Sequence, residues 1–166
     1  MIDLQLYNQE KRLLDYINNE LNKNIKKVNN KLSAIELKST KTVLIIDDST
    51  AINNFIRTFL ISEFGFNCEQ IYNGKEALEA ILKNQDRYGL LTIDIEMPIM
   101  SGEQLLKELY DRQISIPKIV VTGSVRFMAD KEWAIDYLGK LNVMRVLFKP
   151  DFFNEMNLFL REYFEI

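Results

Sequence analysis

Residues 42–49 read TVLIIDDS: a threonine and four aliphatic side chains, closed by two carboxylates and a hydroxyl. A short apolar run ending in turn-forming residues is the pattern of a buried strand. Working outward, strands are predicted at Thr42–Asp47, Cys68–Tyr72 (CEQIY), Leu90–Asp94 (LLTID), Lys118–Thr122 (KIVVT) and Val143–Phe148 (VMRVLF). Helical stretches are predicted between and after them, at 50–64, 74–85, 102–112, 126–141 and 151–164. Runs this rich in Val, Ile and Leu suit strands covered on both faces, as in a parallel sheet. Strand and helix alternating five times predict a doubly wound α/β sandwich with right-handed crossovers.

The first 41 residues differ in kind. They hold eight basic and five acidic groups and neither Gly nor Pro, while all six Gly and three Pro follow, among 13 basic and 19 acidic groups. This contrast divides the chain into a helix at 1–38, a linker at 39–41 and a domain at 42–166. The helix has a seven-residue rhythm: Leu4, Lys11, Asn18, Ile25 and Leu32 at a, and Tyr7, Leu14, Leu21, Val28 and Ile35 at d. Eight of those ten are apolar over five heptads, which is a coiled-coil pattern. Asn18 at an a position favours a parallel, in-register pair, so a homodimer through residues 4–35 is expected. Asn8, Asn22, Asn24 and Asn29 at e and g leave few interhelical ion pairs, and Leu13 and Ile17 widen the stripe. The alternative is an amphipathic helix packed on its own domain.

With 166 residues and 47% apolar side chains, the chain can bury a real core. It has no His, which removes imidazole acid–base catalysis, Ser–His and Cys–His triads and the usual zinc ligand sets. Cys68, the single cysteine, has no disulfide partner within the chain. No apolar run approaches a membrane span, and Met1–Arg12 has no signal-peptide core, so a soluble, cytoplasmic protein is expected. Basic residues in the first segment are dispersed, which argues against direct nucleic-acid binding.

In an open α/β sheet, ligands bind beyond the carboxyl ends of the strands. Here those ends carry Asp47-Asp48, Asp94, Thr122 and Phe148-Lys149-Pro150. Clustered carboxylates repel unless a cation sits among them, and hard oxygen ligands suit Mg²⁺. Asp94 could then act as a nucleophile toward a phosphoryl group, with Thr122 and Lys149 each bonding a phosphoryl oxygen.

At these residues the sequence resembles the receiver domain of two-component response regulators. The pieces that carry the resemblance are IIDDS at 45–49, IDIEMPIMSG at 93–102, VVTGS at 120–124 and FKP at 148–150. It implies a flavodoxin-like fold of strand order 2-1-3-4-5, with Asp94 the phosphoacceptor of a phosphorelay. Asp47, Asp48, Asp94 and the backbone carbonyl of Glu96 would hold Mg²⁺, Thr122 would be the switch hydroxyl and Lys149 the lysine of the site. The peptide before Pro150 is expected to be cis. The donor would be a sensor histidine kinase or a histidine phosphotransfer protein. Since the sequence ends at Ile166, a stand-alone response regulator is expected, not an enzyme in the turnover sense, signalling by protein contacts or oligomerisation.

Three departures stand out. Val146 occupies the position three before the lysine, where the family usually has a switching aromatic. The 27 positions from Thr122 to Lys149 are more than the family's usual number, so a longer or reshaped fourth helix is expected. The last helix carries Phe152, Phe153, Met156, Leu158, Phe159, Leu160, Tyr163 and Phe164 on more than one face, which calls for a second covering surface. The alternatives are a receiver-fold scaffold working without phosphorylation and a haloacid-dehalogenase-like phosphatase. The second wants an Asp where Glu96 stands and its nucleophile on the first strand.

Overall fold

The computed structural model describes residues 4–166; Met1–Asp3 and the heptad side chains of Leu4 and Tyr7 lie outside the described residues. Helix α1 (Leu4–Ser39) leads into β1 (Thr42–Ile46), α2 (Thr50–Phe64), β2 (Cys68–Ile71), α3 (Gly74–Lys83) and β3 (Tyr88–Ile93). Then come α4 (Gly102–Asp111), β4 (Lys118–Thr122), α5 (Val125–Ala129), α6 (Lys131–Gly139), β5 (Arg145–Phe148) and α7 (Phe153–Phe164). The five strands form one parallel sheet in the order β2-β1-β3-β4-β5, as expected.

Local chemistry sets the helix ends. Ser49 and Asn73 cap α2 and α3 by accepting the N–H of Ile52 and Glu76, and Ser101 with Gln104 forms a reciprocal capping box on α4. Gly65, at φ 69°, ends α2 in the left-handed region that a side chain would resist. Strand bounds shift slightly from expectation. β3 begins at Tyr88 because that residue pairs with Thr42, and β5 begins at Arg145, the partner of Ile119. The single helix expected over 126–141 is two, broken at Asp130, whose backbone (φ −139°, ψ 87°) is not helical. Its carboxylate instead accepts the Trp133 N–H and starts α6.

Alternate residues of each strand feed opposite faces. Leu44, Ile46, Leu91, Ile93 and Val120 pack with α3, α4, α5 and α6; Val43, Ile45, Leu90, Ile119 and Val121 pack with α2 and α7. The second face also takes Ala34 and Leu37 from the end of α1. These occupy heptad positions c and f, opposite the a/d stripe. Leu14, Leu21, Ile25, Val28, Leu32 and Ile35 of that stripe are 49–60% exposed. The helix therefore docks on its own domain by one face while presenting its heptad stripe outward. Leu37 lies over Gly89, where a Cβ would be 2.9 Å from Leu37 Cδ2, and its carbonyl accepts the Asn67 N–H at 2.9 Å.

The extra apolar face of α7 is partly covered within the chain, while Leu158 stays exposed. Phe153 packs against Phe55 and Phe59 of α2, tilted to one ring and edge-on to the other, with centroids 3.9 and 5.7 Å away. Phe159 and Tyr163 line a groove of about 450 Å³ shared with Lys27 and Asn30 of α1. Among the described residues, no helix is long and apolar enough to cross a membrane.

Candidate functional site

β1 and β3 are neighbours, so the residues that follow them emerge side by side: the Asp94 N–H donates to the Ile46 carbonyl at 2.9 Å. Asp47, Asp48 and Asp94 each place a carboxylate oxygen within 4.8 Å of the others, Asp47 and Asp94 buried and Asp48 exposed. Loop donors orient two of them. The Ser49 N–H donates to Asp47 Oδ1 at 2.9 Å, and the Ile95 N–H to Asp94 Oδ1 at 2.8 Å.

Lys149 arrives from the end of β5, next to a cis Lys149–Pro150 peptide. Its Nζ donates to Asp47 Oδ2 at 2.7 Å and to Asp94 Oδ2 at 3.1 Å. Burial raises the Asp94 carboxyl above the usual carboxylate range; the Lys149 charge opposes that rise and Asp47 adds to it. Burial alone would lower the Lys149 ammonium, but its hydrogen bonds and attraction to Asp47 and Asp94 carry it above its ordinary value. Thr122 is fully buried at the end of β4, and its Oγ1 accepts the Ser124 N–H at 3.1 Å. The Lys149 N–H donates to the Thr122 carbonyl at 2.9 Å, so β4 and β5 deliver their two residues together.

A cavity of about 500 Å³ opens beside this cluster at Asp48, lined also by Glu96, Met97, Glu103, Ser124 and Arg126. Glu96 is exposed on its wall. Three convergent carboxylates with an open, polar approach offer the hard oxygen donors that Mg²⁺ prefers, so the residues present fit that ion. Val146 is buried with Phe127 in the core and offers no ring to rotate.

All the predicted strand-end residues thus meet at one sheet edge. Sequence reasoning missed Asn53. It is fully buried, and its Nδ2 donates to the carbonyls of Asp47 at 2.8 Å and Ile71 at 3.2 Å, fixing the exit of β1 against β2. The signal was available: Asn53 shares the inward stripe of α2 with Ile56, Leu60 and Phe64, where a polar residue needs a reason. Glu103, Arg126 and Tyr137, joined through the Glu103 carboxylate, were also missed as a group.

Comparison with known proteins returns a family model described as "Response regulator receiver domain" over residues 43–159. The transcriptional regulatory protein FixJ of Rhizobium meliloti is 35% identical over 103 residues, covering 60% of this chain and 49% of FixJ. A protein-glutamate methylesterase/protein-glutamine glutaminase of Paramagnetospirillum magneticum is 32% identical, covering 70% of this chain and 34% of that protein. The chain thus spans between a third and a half of the length of these curated relatives. Among solved structures, the Francisella response regulator 1452 receiver domain matches with a TM-score of 0.63 and 28% identity, over 75% of this chain and 97% of that one. The response regulator TrrA of Thermotoga maritima, solved in complex with Mg²⁺-BeF, matches with a TM-score of 0.59 and 25% identity, over 74% and 98%.

Proposed function

The chain belongs to the response regulator receiver family, and on that premise we propose that it accepts a phosphoryl group on Asp94 from a phosphohistidine donor, a sensor histidine kinase or histidine phosphotransfer protein. The observation that carries this is the convergence of Asp47, Asp48 and Asp94 within 4.8 Å, with Lys149 bonded to two of them. An Asp94 oxygen forms the bond to phosphorus as the donor's P–N bond breaks, its electron pair staying on the donor's imidazole nitrogen. The product is an acyl phosphate, which water later hydrolyses. Lys149 moves from the free carboxylates to a phosphoryl oxygen, and the Thr122 hydroxyl donates to another. Asp47, Asp48, Asp94 and the Glu96 carbonyl would hold Mg²⁺, which when bound neutralises charge on the phosphoryl oxygens. The role is a switch with self-catalysed phosphorylation and hydrolysis, not an enzyme with an outside substrate.

The proposal extends to a cytoplasmic regulator with a helix at 1–38, a linker at 39–41 and a receiver at 42–166. It passes its state on through protein contacts or oligomerisation, without direct nucleic-acid binding. The partner for α1 is a second copy of the chain, paired in parallel through residues 4–35. Support comes from the described part of the a/d stripe of α1, Leu14 to Ile35, whose apolar side chains its own domain leaves exposed. Light scattering should return a dimer for the wild type and a monomer for a Leu21→Asp, Ile25→Asp variant with unchanged receiver circular dichroism. A monomeric wild type at micromolar concentration would refute the pairing.

Intact mass after incubation with Mg²⁺ and a small acyl phosphate tests the central reading. One phosphoryl group should appear on the wild type and none on Asp94→Asn or without Mg²⁺. No adduct, with the donor active on a control receiver, would favour a scaffold that signals without phosphorylation, a reading to which the buried Val146 lends weight.

A further inference from the structure

Glu103 stands in the first turn of α4, directly after the loop that leaves Asp94. Its carboxylate gathers three donors. Tyr137 Oη donates to Oε1 at 2.6 Å, Lys107 Nζ to Oε1 at 3.1 Å and Arg126 Nη1 to Oε2 at 3.1 Å. Tyr137 belongs to α6 and Arg126 to α5, so one side chain of α4 ties both halves of the helix expected over 126–141. Short hydrogen bonds to an ionised carboxylate are the strong class. The Tyr137 bond first, then Lys107 and Arg126, hold this carboxyl below the usual range against the opposing effect of burial. Behind the tie lies an aromatic stack. Trp133 and Tyr137 are nearly parallel, with centroids 5.1 Å apart and planes at 6°, and the Arg126 guanidinium sits 5.0 Å from the Trp133 ring.

The tie lies beside the approach to the acidic cluster, since Glu103 and Arg126 line the same cavity as Asp48, Glu96 and Ser124. Arg126 is also coupled to Thr122 through a short backbone path. Thr122 Oγ1 accepts the Ser124 N–H, and α5 starts at the next residue.

We infer that Glu103 is a latch holding α5 and α6 against α4, and that Arg126 is the residue through which phosphorylation opens it. This rests on the reading of Asp94 as phosphoacceptor. A phosphoryl group presents a dianion with oxygens spaced for a guanidinium fork, a stronger partner for Arg126 than the shared Glu103 carboxylate. When the Thr122 hydroxyl turns toward that group, the strand exit carrying Ser124 and Arg126 follows it. Glu103 then loses a donor, the Trp133 ring loses its cation, and α6 is freed to move. Val146 cannot supply the rotating ring usual in the family; the latch supplies a route outward that needs none. Glu103 and Tyr137 act here as positioning residues; Arg126 bonds the phosphoryl oxygens only after the group has been transferred, so it takes no part in the transfer itself.

Trp133 is the only tryptophan, so its emission reports the latch directly. On the full chain with Mg²⁺ and a small acyl phosphate, wild-type Trp133 emission should change in step with phosphoryl uptake measured by mass. Arg126→Gln should still gain the group while its emission stays flat. Tyr137→Phe removes one oxygen and keeps the stack; it should be phosphorylated faster by about fivefold or more, the scale of a typical coupling. Glu103→Gln should act in the same direction. A phosphorylated wild type with unchanged emission, or a Tyr137→Phe rate within about twofold of wild type, overturns the latch and leaves Asp94 as acceptor. Absence of any adduct on the wild type overturns the acceptor reading and the latch with it.

Discussion

Gly102→Ala is expected to cost about 3 kcal/mol, the upper part of the range for overpacking a close contact. An alanine Cβ there would lie 1.9 Å from the Asp94 carbonyl oxygen and 2.8 Å from its carbon, with Ile93 Cγ2 at 3.0 Å. Neither neighbour can yield cheaply, because the nearest atoms are backbone. The Asp94 N–H is fixed to Ile46, the Gly102 N–H donates to the Ile95 carbonyl at 2.9 Å, and the Ser101–Gln104 box pins the start of α4. Relief requires α4 to withdraw or the Asp94 peptide to turn, and either displaces the carboxylate. Thermal unfolding should move down by roughly 6–12 °C for a chain of this size, and phosphoryl uptake should slow sharply. A variant melting with the wild type and phosphorylated at the same rate would show that α4 approaches β3 with slack.

Lys149→Met should destabilise the protein by about 3 kcal/mol at neutral pH, the low end for breaking a buried charge pair. The methionine fills the space but leaves Asp47 and Asp94 facing one another without the ammonium that bridges them. The pH dependence has a definite sign. The folded-state pKa of Asp94 is raised, so its ionised form burdens the fold above that value, and the burden lifts as pH falls through it. Without Lys149 the burden is heavier, so the gap between variant and wild type should be widest at neutral pH and narrow on acidification. Mg²⁺ should narrow it as well, since an ion bound only by the folded state stabilises by mass action. Melts at neutral and mildly acidic pH, with and without Mg²⁺, would read all three effects. A gap that is constant across pH and indifferent to Mg²⁺ would mean that Lys149 contributes packing and little charge.

The α/β class and the strand-end chemistry were legible because both are local. β1, β3, β4 and β5 each contain a contiguous aliphatic run, and Asp47, Asp94, Thr122 and Lys149 each sit at or next to the end of one. The residues that position the site were less legible, because their roles depend on partners far away in sequence. Asn53 reads as one more polar residue on α2 until the carbonyls of Asp47 and Ile71 are seen beside it. Arg126 and Tyr137 lie 23 and 34 residues from Glu103, their shared contact, and the three form no periodic pattern. The break at Asp130 was hidden by apolar spacing that continues in phase on both sides, while the side-chain cap that enforces it is a single bond.

Helix α1 separates the two kinds of information most clearly. Its heptad is a property of the chain alone, since seven-residue spacing places Leu14, Leu21, Ile25, Val28, Leu32 and Ile35 on one side of any helix. That Ala34 and Leu37, outside the heptad, enter the core could be decided only by the tertiary structure. Two positions carry no period; what fixes them is the gap beneath β1 and β3, where Gly89 leaves room for Leu37. Sequence by itself determined which residues this protein can place at a strand end or on a helix face. Packing decided which faces are used, because that choice belongs to surfaces that exist only after the sheet has formed.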